Sequence, residues 1–113
     1  MADSPLTSPL FHVLVSLADE DRHGYAILKD VEERTDGAVR LSTGTLYGII
    51  KRLLADGWIA EARTHKTAAD DERRRYYRLT PAGREAALAE TARLERAAAQ
   101  ARAALRVRRP HTA

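Results

Sequence analysis

The sequence predicts a mainly helical α+β fold: three helices, a two-stranded β-hairpin and a long final helix. Two observations carry this. Before residue 57, large apolar residues recur at three- and four-residue steps in three blocks, and two short strand-like blocks follow between residues 58 and 79. After Thr80-Pro81 the chain turns to Ala, Arg and Glu, with Gly83 the one helix breaker before Pro110. At 113 residues the chain fits one domain with one modest core.

Residues 1–7 read as a loose arm with Leu6 as a packing anchor. Ser8-Pro9 predicts a helix start: a capping hydroxyl, then a proline whose missing N–H costs nothing there. Leu10, Val13, Leu14 and Leu17 form its apolar stripe, and residues 19–22 read as a polar stop. His23-Gly24-Tyr25 opens a second helix with Ile27, Leu28 and Val31 inside, closed by Asp36-Gly37. Ser42 begins a third, whose inner face is Leu46, Ile49, Ile50, Leu53 and Leu54, with Gly57 as a left-handed cap. Residues 58–62 and 74–79 are the strands, joined by a long charged loop. Thr80-Pro81 starts the last helix, expected to reach Arg106, about 39 Å at 1.5 Å per residue. Three helices followed by a hairpin is the winged helix-turn-helix plan. It divides the chain into a winged domain at 1–80, a dimerisation helix at 81–107 and a disordered basic tail at 108–113.

The formal net charge is +3 and the pI about 9.6, a mild excess that suits an acidic partner. The absence of cysteine excludes disulfides, Cys-ligated zinc and thiol catalysis. No run of eighteen apolar residues is present and the N-terminus lacks a basic-then-apolar leader, so no membrane span is expected and the location is expected to be cytoplasmic. The histidines, His12, His23, His65 and His111, lack metal-ligand spacing, and there is no phosphate-binding glycine loop or nucleophile elbow. Neither catalysis, a metal nor a cofactor is expected.

A helix that reads DNA needs one face in the core and another free to enter the major groove. On the third helix Thr45, Tyr47, Lys51 and Arg52 fall on the second face, with no acid before Asp56. Ser42, Thr43 and Thr45 crowd its N-terminus, where exposed N–H groups and the helix dipole favour a phosphate. Lys66, Arg73 and Arg74 would let the hairpin tip reach the flanking DNA, and Gly24 and Tyr25 would present the second helix's start to a phosphate. A winged helix that binds protein instead, the alternative, should show an apolar or acidic third-helix face. On the last helix Ala87, Thr91, Leu94, Ala98, Ala101 and Leu105 repeat at alternating four- and three-residue steps, a coiled-coil seam flanked by Leu88. Leu6, Leu10 and Phe11 are expected to clasp that helix in a homodimer.

Four segments in order carry a resemblance: His23-Gly24-Tyr25, residues 41–47 running into Lys51-Arg52-Leu53, Asp56-Gly57-Trp58-Ile59, and residues 75–83. Across about residues 8–90 the chain resembles the PadR family of bacterial transcriptional regulators. The resemblance implies a homodimeric repressor on a pseudo-palindromic operator in double-stranded DNA, released by a small-molecule effector, in a short form with one C-terminal dimerisation helix. The chain departs from the pattern at Thr43, where the family usually has proline, and at Gly48, where it has a larger, often basic residue. Trp58 stands where leucine is common, and the last helix has no aromatic residue to stack on a flat ligand.

Overall fold

The computed structural model describes residues 6–62 and 75–107. In chain order these form α1 (Ser8–Ser16), β1 (Arg22–His23), α2 (Gly24–Arg34), α3 (Thr43–Ala55), β2 (Ile59–Ala62), β3 (Tyr76–Leu79) and α4 (Pro81–Arg106). The expected helices and hairpin strands are all present. The sheet has a third strand that the sequence did not announce: its order is β1-β3-β2, antiparallel throughout.

The extra strand corrects the reading of residues 19–22 as a plain polar stop. Arg22 and His23 pair with Tyr77 and Tyr76 on the open side of β3. Arg22 is anchored there because its Nε donates to the Ser16 carbonyl at 2.7 Å. Its guanidinium also meets Asp19, Glu20 and Asp30 at 3.4–3.6 Å. The acids after α1 are therefore counter-charges for an arginine that is only 17 % exposed, and Asp30 also holds Arg34 at 2.6 Å. A second correction concerns the cap of α1. Thr7, not Ser8, is the N-cap, its hydroxyl accepting from the Leu10 amide, with Ser8 as the first helical residue.

Helices α1, α2 and α3 close over one core, centred on Leu14, Ile27, Val31, Leu46, Leu53 and Ile59, each at most 2 % exposed. Each such side chain contributes about 1.5–3 kcal/mol by leaving water. Tyr77 of β3 is buried beneath them.

Helix α4 leaves this body through a tight joint. The Thr80 hydroxyl accepts from the Gly83 amide at 3.0 Å, capping α4, and donates to the Gly57 carbonyl at 2.7 Å, closing the end of α3. The Thr80 amide donates to the Trp58 carbonyl at 3.1 Å. A Cβ at position 83 would run into that same carbonyl, so only glycine lets α4 start against the strand. Trp58 itself is half-buried against the core.

Further along α4, Glu90 is 6 % exposed although charged. It accepts from the Leu6 amide at 3.3 Å and from Arg93 Nε at 3.0 Å, pinning the N-terminal segment to the helix. Leu6, Leu10 and Ala87 pack on the chain's own core. From Leu94 to Val107 every residue is exposed, and the molecule extends 69 × 30 × 23 Å. The expected basic tail, 108–113, and most of the hairpin loop lie outside the described residues.

Candidate nucleic-acid interface

The site is built from α3 and the start of α2. Ser42 caps α3 as expected: its Oγ accepts from the Thr45 amide at 3.1 Å and donates to Thr45 Oγ1 at 3.0 Å. Ser42, Thr43 and Thr45 are all exposed around that N-terminus. Leu46, Ile49, Ile50 and Leu53 are buried, so the 100° step per residue puts Gly44, Gly48, Lys51 and Ala55 along the outer face. Thr45 and Arg52 flank that ridge on one side and Tyr47 on the other.

The outer face is low and carries two cations. A Cβ added at Gly44 or Gly48 would meet nothing within 4 Å. Among the described residues Lys51 has no ion-pair partner. Arg52 lies 3.7 Å from Asp56, but both are exposed, and such pairs contribute little. Both cations can therefore turn toward a polyanion.

At the start of α2, the His23 Nδ1 accepts from the Ala26 amide at 3.2 Å, so this histidine is the N-cap. Its ring stands edge-on to Tyr76 at 5.3 Å. Tyr25 is 65 % exposed, with Lys29 Nζ 5.8 Å from its ring centre. Tyr47 leans from α3 onto Gly24, the residue before Tyr25, and remains 48 % exposed. The structure thus brings Tyr25 and Tyr47 to one edge of the α3 face. Lys66, Arg73 and Arg74, the expected wing contacts, lie outside the described residues. At the hairpin's base Arg75 pairs with Glu61 across the strands at 3.2 Å.

Of the expected dimerisation residues, Leu88, Leu94, Ala98, Ala101 and Leu105 are exposed on α4, with Leu105 83 % exposed. Thr91 is half-buried and donates to the Ala87 carbonyl at 2.9 Å; Phe11 is half-buried against His12. The hollows on α2, lined by residues such as Lys29, Glu32, Glu33 and Arg40, are open and charged. Sequence reasoning gave no contact for Gly83 and did not single out Glu90. Their partners lie 25 and 84 positions away in the chain, and no local pattern signals such contacts.

Two helices joined by a turn, the second with a bare, cationic outer face beside a hairpin, define a winged helix-turn-helix domain of the regulator type. The comparisons with known proteins agree. The transcriptional regulator PadR-like family matches residues 13–89. The chain is 39 % identical over 82 residues to a transcriptional regulator of Mycobacterium tuberculosis, spanning 73 % of this chain and 70 % of that one. It superimposes on a PadR family transcription regulator of Clostridium difficile with TM-score 0.72 and 25 % identity, over 85 % of this chain and 96 % of the other. The fold is also that of Bacillus subtilis PadR solved in complex with operator DNA, with TM-score 0.61 and 20 % identity over 72 % and 46 % of the two chains. The chain belongs to the PadR-like family of transcriptional regulators. Among its described residues, no helix is long and apolar enough to cross a membrane, and no group of three or more His, Cys, Asp or Glu could hold a metal.

Proposed function

We infer that this regulator binds double-stranded DNA as a homodimer and acts as a repressor, with α3 in the major groove. The carrying observation is the outer face of α3: Gly44, Thr45, Gly48, Lys51 and Arg52 stand bare on the side opposite the core. A face with small residues on its ridge lets a helix backbone come close to base edges, and the cations match the phosphate walls. Ser42, Thr43 and Thr45 serve the nearer phosphates, with Tyr25 and Tyr47 at the α2 edge. Lys66, Arg73 and Arg74 reach the flanking DNA. The bare leucines of α4 supply the dimer contact, and a two-fold dimer reads a pseudo-palindromic operator with half-sites about 34 Å apart, one helical turn. The protein works without catalytic chemistry, in the cytoplasm. Release by a small-molecule effector follows from the family resemblance alone.

The test is a fluorescence-anisotropy titration against the protein's own promoter duplex and a scrambled duplex, from about 50 to 200 mM salt. A dimer neutralising about six to ten phosphates loses roughly 10³- to 10⁵-fold in affinity over that range. Tight promoter binding with that slope, and weaker binding to the scrambled duplex, is the expected result. No binding to either duplex at the lowest salt overturns the reading in favour of a protein-docking module.

A further inference from the structure

We propose that Gly24 is a positioning residue for DNA binding: its missing side chain is the seat on which the Tyr47 hydroxyl rests, held toward the DNA backbone at the edge of α3. This rests on the reading of α3 as the DNA-facing helix and names the part that reading leaves open, namely what aims its tyrosine.

Three observations carry it. First, glycine at 24 is not there for its backbone freedom. Gly37 and Gly57 are the glycines with positive φ among the described residues, and Gly24 is not one of them. It is the first residue of α2, where alanine is the better helix former. Second, what glycine provides is space, and one side chain uses it. A Cβ at 24 would lie 2.5 Å from the Tyr47 hydroxyl oxygen, 3.0 Å from Cζ and 3.4 Å from Cε1, and these three are its nearest neighbours. The tip of the ring is a movable group, so a methyl at 24 displaces the tyrosine rather than the helices. Third, Tyr47 does not need this seat for burial. It is 48 % exposed, and among the described residues its hydroxyl makes no hydrogen bond.

Residue 47 leaves α3 about 80° round the helix from the Gly44–Gly48 ridge by the 100° step, and its hydroxyl rests at the start of α2, on the α2 side of the α3 face. That places it at the wall of a groove that α3 enters, where phosphates lie, and not at the floor, where base edges lie. A phenolic O–H donates well to a phosphodiester oxygen. A contact of this kind is charge-assisted on the acceptor side, and its loss reads as about a tenfold fall in affinity at each half-site of the dimer. Because tyrosine is uncharged, no counterion is released through it, and the salt slope should not move.

The experiment is a four-protein cycle: wild type, Gly24→Ala, Tyr47→Phe and the double variant. Each is titrated against the promoter duplex and the scrambled duplex at 50 mM salt, the wild-type and single-variant titrations are repeated at 200 mM, and the fold of each is checked by thermal unfolding. Tyr47→Phe keeps the ring and its packing, so it removes the contact alone. Each single variant should fold, lose about tenfold per half-site and so about a hundredfold for the dimer on both duplexes, and keep the wild-type salt slope. In the Tyr47→Phe background Gly24→Ala should cost less than twofold more, since the hydroxyl it misplaces is already gone. If Tyr47→Phe binds like wild type, or Gly24→Ala costs the same in both backgrounds, the proposal falls while the DNA-binding reading stands. If Gly24→Ala fails to fold, position 24 serves the fold and the proposal also falls. If the wild type binds neither duplex, it is the DNA-binding reading itself that fails.

Discussion

At the scale of single residues, Lys51 and Gly48 make opposite demands on the protein. Lys51 is exposed and touches no acid among the described residues, so Lys51→Ala should leave stability within about 0.5 kcal/mol of wild type. It should weaken binding to every duplex and lower the salt slope by about 2, one for each subunit of the proposed dimer, which a titration series in salt would show. Gly48 sits mid-helix with open space where a side chain would go. Replacing it with alanine should stabilise the domain by up to about 1 kcal/mol, raising the melting temperature by a few degrees. The same methyl would stand on the ridge proposed to face the groove, so Gly48→Ala should bind DNA more weakly while melting later. An unaltered affinity would show that the helix does not approach that closely. The Gly48 anomaly was legible in the sequence because helix propensity is local. The reason for Gly24 was not, since its neighbour Tyr47 is 23 positions away and only packing brings them together.

At the scale of elements, the helices were readable because each carries both a periodic apolar stripe and a capping residue. Ser42, His23 and Thr80 all accept from an amide three residues on, and these start signals placed α2, α3 and α4 correctly. The cap of α1 slipped by one residue because Thr7 and Ser8 both offer a hydroxyl just before Pro9, and the sequence does not rank them. Strand β1 escaped because two residues, Arg22 and His23, cannot show a period of two; their pairing is dictated by β3, more than fifty positions later. Helix α4 shows the other limit. Its seam of Ala98, Ala101 and Leu105 is legible, but among the described residues nothing covers it. Leu94→Glu with Leu105→Glu should therefore leave the winged domain folded, because both leucines are exposed in the protomer. The pair should convert a dimer to a monomer in sedimentation velocity. A variant that stays dimeric would place the interface elsewhere.

At the scale of the whole molecule, two groups tie stability to pH, His12 on α1 and Glu90 on α4. Burial holds His12 below its ordinary pKa of 6.5. The unfolded chain then takes the proton first, so this contribution is full at neutral pH and shrinks as pH falls below about 6.5. The hydrogen bond from Arg93 and that from the Leu6 amide hold Glu90 below its ordinary 4.5, against the opposing effect of burial. Its contribution is present above about pH 4.5 and is lost as pH falls through the lower, folded value. Melting temperature should therefore decline in two stages on acidification. His12→Gln should remove the upper stage and Glu90→Gln the lower, as pH-dependent thermal melts would show. The joint at Thr80 has a mechanical meaning at this scale. One hydroxyl clamps the end of α3 to the start of α4, so the 26-residue helix is a lever arm about 39 Å long with the reading head fixed to one end. A change of about 10° in the angle at which two such levers crossed near their far ends would shift the two reading heads relative to each other by about 7 Å, or about two base-pair steps of 3.4 Å. In the proposed dimer, a small change in the angle between the arms would then be enough to let go of the site, with every helix intact.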